Sequence, residues 1–227
     1  MKLEYLLLNL VILLGPLLMS FEKQVRFVEN WRYAFPAIAL IAAPFLVWDA
    51  FVTDRPWWFN PDYTLDTRIA GLPLEECLFF FTVPFAALFM WETIKFYFSA
   101  QHSSRLPYLG YILLLGAVRG TILIIHGKEY TGLVLIALAC AALLDLVLQT
   151  HLFAQTRLLI FLAALFIVTL LCNGYLTARP VVLYHEQYQL GIRLGTIPLE
   201  DFGYGFSLVL LVTSVYEKFK TVAQSPQ

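Results

Sequence analysis

Seven apolar runs, each close to the length of a membrane span, constrain this chain more than any other feature of its sequence. They cover residues 3–20, 33–52, 74–97, 107–125, 130–149, 158–177 and 199–216. A helix of about 20 apolar residues crosses a bilayer core, and its backbone polar groups are satisfied within the segment. The composition is 60% hydrophobic, more than a soluble domain of 227 residues buries. We therefore expect an all-α membrane protein with about seven transmembrane helices.

The chain contains an internal duplication. Residues 60–81 read NPDYTLDTRIAGLPLEECLFFF, and residues 184–206 read YHEQYQLGIRLGTIPLEDFGYGF. At a constant offset of 125 residues, the two stretches match Tyr63 with Tyr188, Arg68 with Arg193, Pro73 with Pro198, Glu75 with Glu200, and Glu76 with Asp201. Each stretch leads directly into an apolar run, so the same polar element lies at the start of two predicted helices.

The duplication predicts the organisation of the chain. We expect a first three-helix repeat over residues 1–98, a connector helix within 99–128, a second repeat over 129–220 and a disordered tail over 221–227. Three helices, a connector and three helices make the repeats parallel about an axis near the membrane normal. Both motif loops then lie on one face of the membrane. The distribution of Lys and Arg favours a cytoplasmic C-terminus, and the first run, which lacks a small-x-small cleavage site, is expected to be retained as a helix.

The acids of the motif are the first candidates for chemistry. Glu75 and Glu76 follow Pro73, which suits the start of a helix, and the helix dipole favours acids in the first turn. They are therefore either ordinary helix-start acids or functional groups. They lead straight into an apolar run, and ionisable groups at membrane depth usually serve a function. We therefore expect these two acids, with Glu200 and Asp201, to be catalytic.

Two arginines precede these acids by seven residues, Arg68 in the first motif and Arg193 in the second. One hypothesis is an arginine–carboxylate pair that stays ionised beside a second, desolvated carboxyl that holds its proton. Such a division supplies a proton donor and a proton acceptor in one pocket. Asp49, at the end of the second apolar run, is either a polar helix end or a further site residue. Its counterpart in the second half is Asn173.

The aromatic residues near the motifs allow two interpretations. Trp58, Phe79, Phe80 and Tyr204 either belong to the membrane interface or form a wall that stabilises a cation. The sequence has no GxGxxG fingerprint and no P-loop. It also has no Cys/His cluster, so neither a metal site nor a disulfide framework is predicted.

At this point the residues resemble a known family, the lycopene cyclase domain of the membrane-integral carotenoid cyclases. The similarity rests on Trp48-Asp49-Ala50, Thr53, residues 58–61, Tyr63, residues 71–76 and residues 78–80 in the first half, and on Gly191, Arg193 and residues 196–201 in the second. The second half looks like the partner subunit of the heterodimeric bacterial enzymes, so the chain is similar to the fused form. One departure is Asp66, where the family pattern has the glycine that Gly191 supplies in the second half.

The resemblance implies cyclisation of the open ψ-ends of lycopene to β-ionone rings, through γ-carotene to β-carotene, by acid–base catalysis without net redox chemistry. It implies a carotenoid substrate, a bacterial or archaeal cell membrane and no nucleotide cofactor. Lipid and other carotenoid enzymes are the expected partners, and nucleic acid is not. We expect Glu75 and Glu200 to be the leading catalytic acids, followed by Glu76 and Asp201. The expected supporting residues are Arg68, Arg193, Asp49, Asn60, Tyr63 and Tyr188.

Three alternatives remain open from the sequence. The first is formation of ε- or γ-rings on lycopene or a longer carotenoid. The second is a transporter, because repeated bundles with intramembrane acids are also transporter architecture. The third is a carotenoid-binding protein without catalysis. A retinal protein is rejected, because the seventh run has no lysine between residues 199 and 216.

Overall fold

The computed structural model describes residues 2–224, which form seven helices joined by loops that carry short strands. The helices are α1 (Glu4–Met19), α2 (Trp31–Val52), α3 (Leu74–Tyr97), α4 (Pro107–Ile125), α5 (Glu129–Leu148), α6 (Arg157–Ala178) and α7 (Leu199–Gln224). The strands are β1 (Trp57–Phe59), β2 (Arg68–Ile69), β3 (Leu72–Pro73), β4 (Val182–Tyr184), β5 (Arg193–Leu194) and β6 (Ile197–Pro198). The predicted class, an all-α membrane protein, is confirmed.

Five of these helices, α2 to α6, are long and apolar enough to cross a membrane. Helix α1 is apolar but has 16 residues, whereas α7 has 26 residues and begins with two acids. Helix α7 also continues past the predicted end of its apolar run at residue 216. The predicted tail therefore begins inside α7, and its last three residues, 225–227, lie outside the described part of the chain.

The helices pack with two-fold pseudosymmetry. Helix α1 packs on α3 as α5 packs on α7, and α2 packs against α7 as α6 packs against α3. Helix α4, the connector, lies along α5. Because α1 and α5 run in the same direction through the bundle, the two repeats are parallel, and the starts of α3 and α7 lie on the same face.

Strands β1 and β4 mark the position of the pseudo-two-fold axis. They pair antiparallel with Trp58 opposite Leu183 at the centre of the register, and these two residues are 125 positions apart. The flanking backbone bonds are equivalent under the same offset: Asn60 N–H to the Val181 carbonyl and His185 N–H to the Pro56 carbonyl, both 2.9 Å. The axis therefore passes between Trp58 and Leu183, above the bundle.

Charged pairs join the two halves on the face that carries the motif loops. Arg179 donates to Glu4 across the interface with an N–O distance of 2.7 Å, and Arg55 donates to Glu129 at 2.8 Å. Glu129 follows Glu4 by 125 residues and Arg179 follows Arg55 by 124. Each arginine therefore forms an ion pair with an acid of the other repeat.

A second set of charges joins the halves at the opposite end of the bundle. This far-end network consists of Glu92 and Lys95 on α3 and Glu217 and Lys220 on α7. Its bonds across the interface run from Lys220 and Tyr216 to Glu92 (both 2.8 Å), from Lys95 to Glu217 (2.7 Å) and from Trp91 to Glu217 (2.8 Å). Since the two acids and the two lysines are each 125 residues apart, the network repeats the pseudosymmetry of the loop face. Between the two charged layers the core is apolar, with Phe80, Phe85 and Phe161 fully buried.

Candidate active site

A short β-hairpin with a two-residue turn places the acids at the start of each motif helix. Strands β2 and β3 pair so that Arg68 lies opposite Pro73, and α3 begins at the next residue. Pro73 is thus the residue before the helix rather than its first residue. Strands β5 and β6 repeat the arrangement before α7. The predicted position of the four acids in the first helical turns is confirmed.

The tight turns of the two hairpins differ at both central residues, which are Ala70 and Gly71 in the first and Gly195 and Thr196 in the second. Ala70 and Gly71 form the first turn, with φ values of +51° and +90°. Gly195 occupies the position equivalent to Ala70 and has a φ of +63°. Glycine adopts this left-handed conformation without steric cost, whereas alanine does not.

The first acid of each pair, Glu75 or Glu200, anchors the motif loop. Oε1 of Glu75 accepts the N–H of Leu65 at 2.7 Å, and Oε1 of Glu200 accepts the N–H of Leu190 at 2.8 Å. Glu200 also accepts the hydroxyl of Thr131. Both carboxyls are buried, but neither lines the central cavity. The two residues expected to lead the catalysis therefore bind backbone N–H groups of the motif loops and fix these loops in place.

The second acid of each pair, Glu76 or Asp201, faces an internal cavity. Tyr5 donates its hydroxyl to Oε2 of Glu76, and Tyr130 donates to Oδ1 of Asp201 at 2.7 Å. Tyr130 follows Tyr5 by 125 residues, so the tyrosine belongs to the repeat. Adjacent residues on a helix point about 100° apart, which is why one acid of each pair turns to the loop and the other to the bundle.

The surroundings of these two acids differ in their neighbours. Asp201 accepts two further hydrogen bonds, from Tyr184 at 2.6 Å and from Asn173 at 3.1 Å. Burial raises the pKa of Tyr184 well above its ordinary value, so this loop hydroxyl stays a donor. Glu76 instead shares its side of the cavity wall with the carboxyl of Asp49 from the same repeat.

Asp49 is a buried carboxyl on the last turns of α2, with 1% of its surface exposed. Its Oδ1 accepts the indole N–H of Trp57 at 2.9 Å. Its Oδ2 is buried and has no hydrogen-bond partner among the described residues. Asp49 and its counterpart Asn173 thus occupy related places beside Glu76 and Asp201, with a charge-bearing group in one half and an amide in the other.

Aromatic and apolar side chains from both halves complete the cavity. The polar members of its wall are the three acids with Tyr5, Tyr130, Tyr184, Tyr204, Thr169 and Asn173. The apolar members include Trp57, Phe59, Phe79, Leu165, Phe206 and Val209. Phe80 is buried behind this wall and contacts Tyr204 at a ring distance of 6.4 Å. The cavity is therefore a mainly apolar space with three acids facing it.

The predicted arginine–acid pairs are wrong. Arg68 donates to the hydroxyl of Thr64 at 3.0 Å, and Arg193 donates to the carbonyl of Thr196 at 2.8 Å. Arg193 also lies over the ring of Tyr184, 5.8 Å from its centroid. Because both arginines sit on the exposed hairpin strands, they face water rather than the buried acids.

The remaining predicted residues lie in the loops above the cavity. Asn60 caps its own turn, with Oδ1 accepting the N–H of Asp62 at 3.0 Å. Tyr63 lies under Arg179, and Tyr188 is half-buried near His185. The rings of Trp58 and His185 contact each other at 4.4 Å, tilted by 37°, near the pseudo-two-fold axis. None of these four is among the residues that line the cavity.

Asp66, the departure from the family pattern, is exposed and pairs with Lys2 at 2.6 Å. The lysine ammonium holds the pKa of Asp66 below its usual range. Gly191 has a φ of +78° whereas Asp66 keeps an ordinary negative φ. The first loop therefore forms without the glycine.

Sequence reasoning missed Tyr5, Trp57, Tyr130 and Tyr184 as partners of the acids. Tyr5 and Tyr130 carried a usable signal, because they share the 125-residue offset of the motif acids. Tyr184 carried none, since its role depends on the pairing of β1 with β4. Trp57 binds Asp49 only eight residues before it in the same repeat.

Comparison with known proteins agrees with this duplicated site. The family model described as lycopene cyclase matches the chain twice, over residues 3–94 and 128–219, with the same offset of 125 residues. The chain belongs to the lycopene cyclase family. Neither a curated protein nor a solved structure matches it.

Membership of the lycopene cyclase family gives the chain a carotenoid cyclase activity, and the cavity is suited to such a substrate. Its wall is mostly apolar, and it lies within a bundle whose outer surface is apolar. Both matched repeats contribute an acid to it. The two matched repeats thus line one cavity between them.

Proposed function

We propose that this chain is a lycopene β-cyclase in which the two repeats supply opposite proton-transfer functions. The observation that carries the proposal is the meeting of Glu76 and Asp49 from the first repeat with Asp201 from the second around one apolar cavity. A carotenoid end enters this cavity from the lipid. The polyene is too apolar to reach a site through water.

The Glu76–Asp49 pair is the proton donor in this scheme. Two buried carboxyls that face the same apolar cavity disfavour each other's ionisation, so one proton stays with the pair. Tyr5 and Trp57 hold the two carboxyls in position. The pair delivers its proton to the terminal double bond of the ψ-end and leaves a tertiary carbocation on the substrate.

Asp201 is the proton acceptor. Three donors, Tyr130, Tyr184 and Asn173, satisfy its carboxylate and favour the ionised form. The conjugated chain attacks the tertiary cation and closes the ring, and Asp201 then removes a ring proton to form the ring double bond. One proton is added and one is removed, so the product is an isomer of the substrate and the reaction is an intramolecular lyase step.

The aromatic wall stabilises the cation between these two steps. Phe79, Trp57 and Tyr204 line the cavity, and aromatic faces attract cations, most strongly when water is excluded. The acids differ between the repeats, so the cavity holds one complete acid–base set. A monocyclic product therefore leaves and re-enters with its second end.

The test is pigment analysis by chromatography of lycopene-producing cells that express the chain. The parent is expected to convert lycopene to β-carotene with transient γ-carotene. The double variant Glu76→Gln, Asp201→Asn is expected to leave lycopene unchanged, because it keeps the hydrogen-bonding shapes and removes both proton-transfer groups. Its amount in the membrane is measured beside the parent.

Products with ε- or γ-rings from the parent would reject the β-ring assignment and keep the cyclase mechanism. Unchanged lycopene in cells with a membrane-inserted parent would reject lycopene as the substrate. Full conversion by the double variant would reject the proposed acids.

A further inference from the structure

A ring closure by separate acid and base groups leaves the site in the wrong protonation state. The Glu76–Asp49 pair has lost a proton and Asp201 has gained one. Before the next ring closes, the proton has to return across the cavity. The acids are buried, with exposures of 8%, 1% and 4% for Glu76, Asp49 and Asp201, so bulk water does not reach them directly.

Tyr204 stands between the two sets of groups. Its ring contacts Trp57, the donor to Asp49, at a centroid distance of 6.0 Å. It contacts Tyr130, the donor to Asp201, at 6.4 Å. It also lines the same cavity as all three acids. Tyr130 also contacts Trp57 and Tyr184, at centroid distances of 4.8 and 6.3 Å, but its own hydroxyl is already bound to Asp201.

The hydroxyl of Tyr204 is the one tyrosine hydroxyl of the described cavity wall without a partner. Those of Tyr5, Tyr130 and Tyr184 are each bound to an acid, whereas the Tyr204 oxygen is buried and unbonded within residues 2–224. A buried hydroxyl without a partner costs free energy, so its presence calls for a functional reason.

We propose that the hydroxyl of Tyr204 returns the proton from Asp201 to the Glu76–Asp49 pair after each ring closure. This inference rests on the acid and base assigned above. A tyrosine hydroxyl both accepts and donates a hydrogen bond. It accepts the proton of Asp201 while its own proton passes to the pair, so one O–H bond forms as another breaks and no net charge builds up on the ring oxygen. Asp201 and the pair are then ready for the next end.

The position related to Tyr204 by the offset of 125 residues is Phe79, which also lines the cavity. The first repeat therefore has an aromatic ring but no hydroxyl at this place. Both rings can stabilise a cation, and the hydroxyl of Tyr204 is an addition confined to the second repeat.

The experiment compares the first turnover with steady-state turnover in purified, bilayer-reconstituted protein given lycopene. Tyr204→Phe keeps the aromatic wall and removes only the oxygen. We expect it to form the first ring per site at a rate within about twofold of the parent and then to slow by about 100-fold, the lower end of the usual effect of losing a proton-transfer group. The parent should show no such burst. Tyr111→Phe, on the exposed surface of α4, is the matched control and should change neither rate.

Equal slowing of the first and later turnovers would overturn the proposal, because the hydroxyl would then act in ring closure itself. Unchanged rates in both phases would also overturn it. Absence of ring closure in the parent would instead reject the proposed function. The double variant Phe79→Tyr, Tyr204→Phe guards against a folding defect, because it returns a hydroxyl to the cavity. It is expected to recover part of the rate of the later turnovers. No recovery in a folded protein would count against a relay.

Discussion

The two acid centres of this molecule have the same origin and different surroundings. Glu76 and Asp201 occupy equivalent positions, and each is held by an equivalent tyrosine, Tyr5 or Tyr130. The neighbour on the preceding helix is a carboxyl in the first repeat and an amide in the second. A duplicated scaffold has thus placed two similar acids in one cavity. Asn173 and Tyr184, both bound to Asp201, replace Asp49 and Phe59 of the first repeat and distinguish the two centres.

The largest effect is expected when the two acids themselves are replaced, in Glu76→Gln and in Asp201→Asn. Each is expected to lower cyclisation by about 100- to 10,000-fold, the usual range for a general acid or base. The first should leave lycopene unreacted, because no cation forms. The second should still form the cation, so its small amount of product should include other ring isomers. Chromatography of the pigments measures both results. Identical product patterns would show that the two centres do not have separate proton-donor and proton-acceptor functions.

A second test exchanges the neighbouring side chains. Asp49→Asn removes the carboxyl that we propose shares a proton with Glu76, and Asn173→Asp places a second carboxyl beside Asp201. Each is expected to lower the rate by about 100-fold, since the first repeat loses its donor and the second loses its ionised acceptor. Initial rates in reconstituted protein are the measurement. A rate near that of the parent for Asn173→Asp would mean that the amide is not needed to keep Asp201 an acceptor.

A smaller effect is expected at the loop-anchoring acids. Glu75→Gln and Glu200→Gln keep a carbonyl oxygen for the N–H groups of Leu65 and Leu190. Losing the charge from such a bond costs about 1 kcal/mol, so activity should fall by less than tenfold. Loss as complete as in Glu76→Gln would return Glu75 to the leading catalytic role that the sequence suggested.

The smallest effect concerns the hairpin turns. Ala70→Gly gives the first turn the residue type that Gly195 supplies in the second, and it relieves a left-handed conformation that costs an L-residue about 1 kcal/mol. We expect a slightly higher midpoint of thermal unfolding in detergent and unchanged activity. A lower midpoint would show that the greater flexibility of glycine in the unfolded chain outweighs the strain.

The sequence predicted the fold more fully than the site. Membrane-length apolar runs and a constant offset were sufficient for the helices and their parallel repetition, because both are properties of local sequence. The site depended on which way each acid points. Glu75 and Glu76 are adjacent and chemically alike, and only the hairpin before α3 decides that the first turns to the loop.

The arginines show the same limit. Arg68 and Arg193 stand near the acids in sequence, but the hairpin strands expose them to water. Conversely, Tyr184 lies 17 residues before Asp201 and reaches it through the pairing of β4 with β1. Contacts that depend on long-range strand pairing cannot be predicted from a local sequence pattern.

The far-end network has a consequence for the order of events during synthesis. The side-chain donors to Glu217 described above, Lys95 and Trp91, both belong to the first repeat, and Glu92 draws Lys220 and Tyr216 from the second. Ribosomes deliver α3 long before α7. Until α7 arrives, Glu92 has Lys95 of its own helix as a partner, at 3.1 Å, and the first repeat becomes a finished structure only when the last helix adds the remaining bonds.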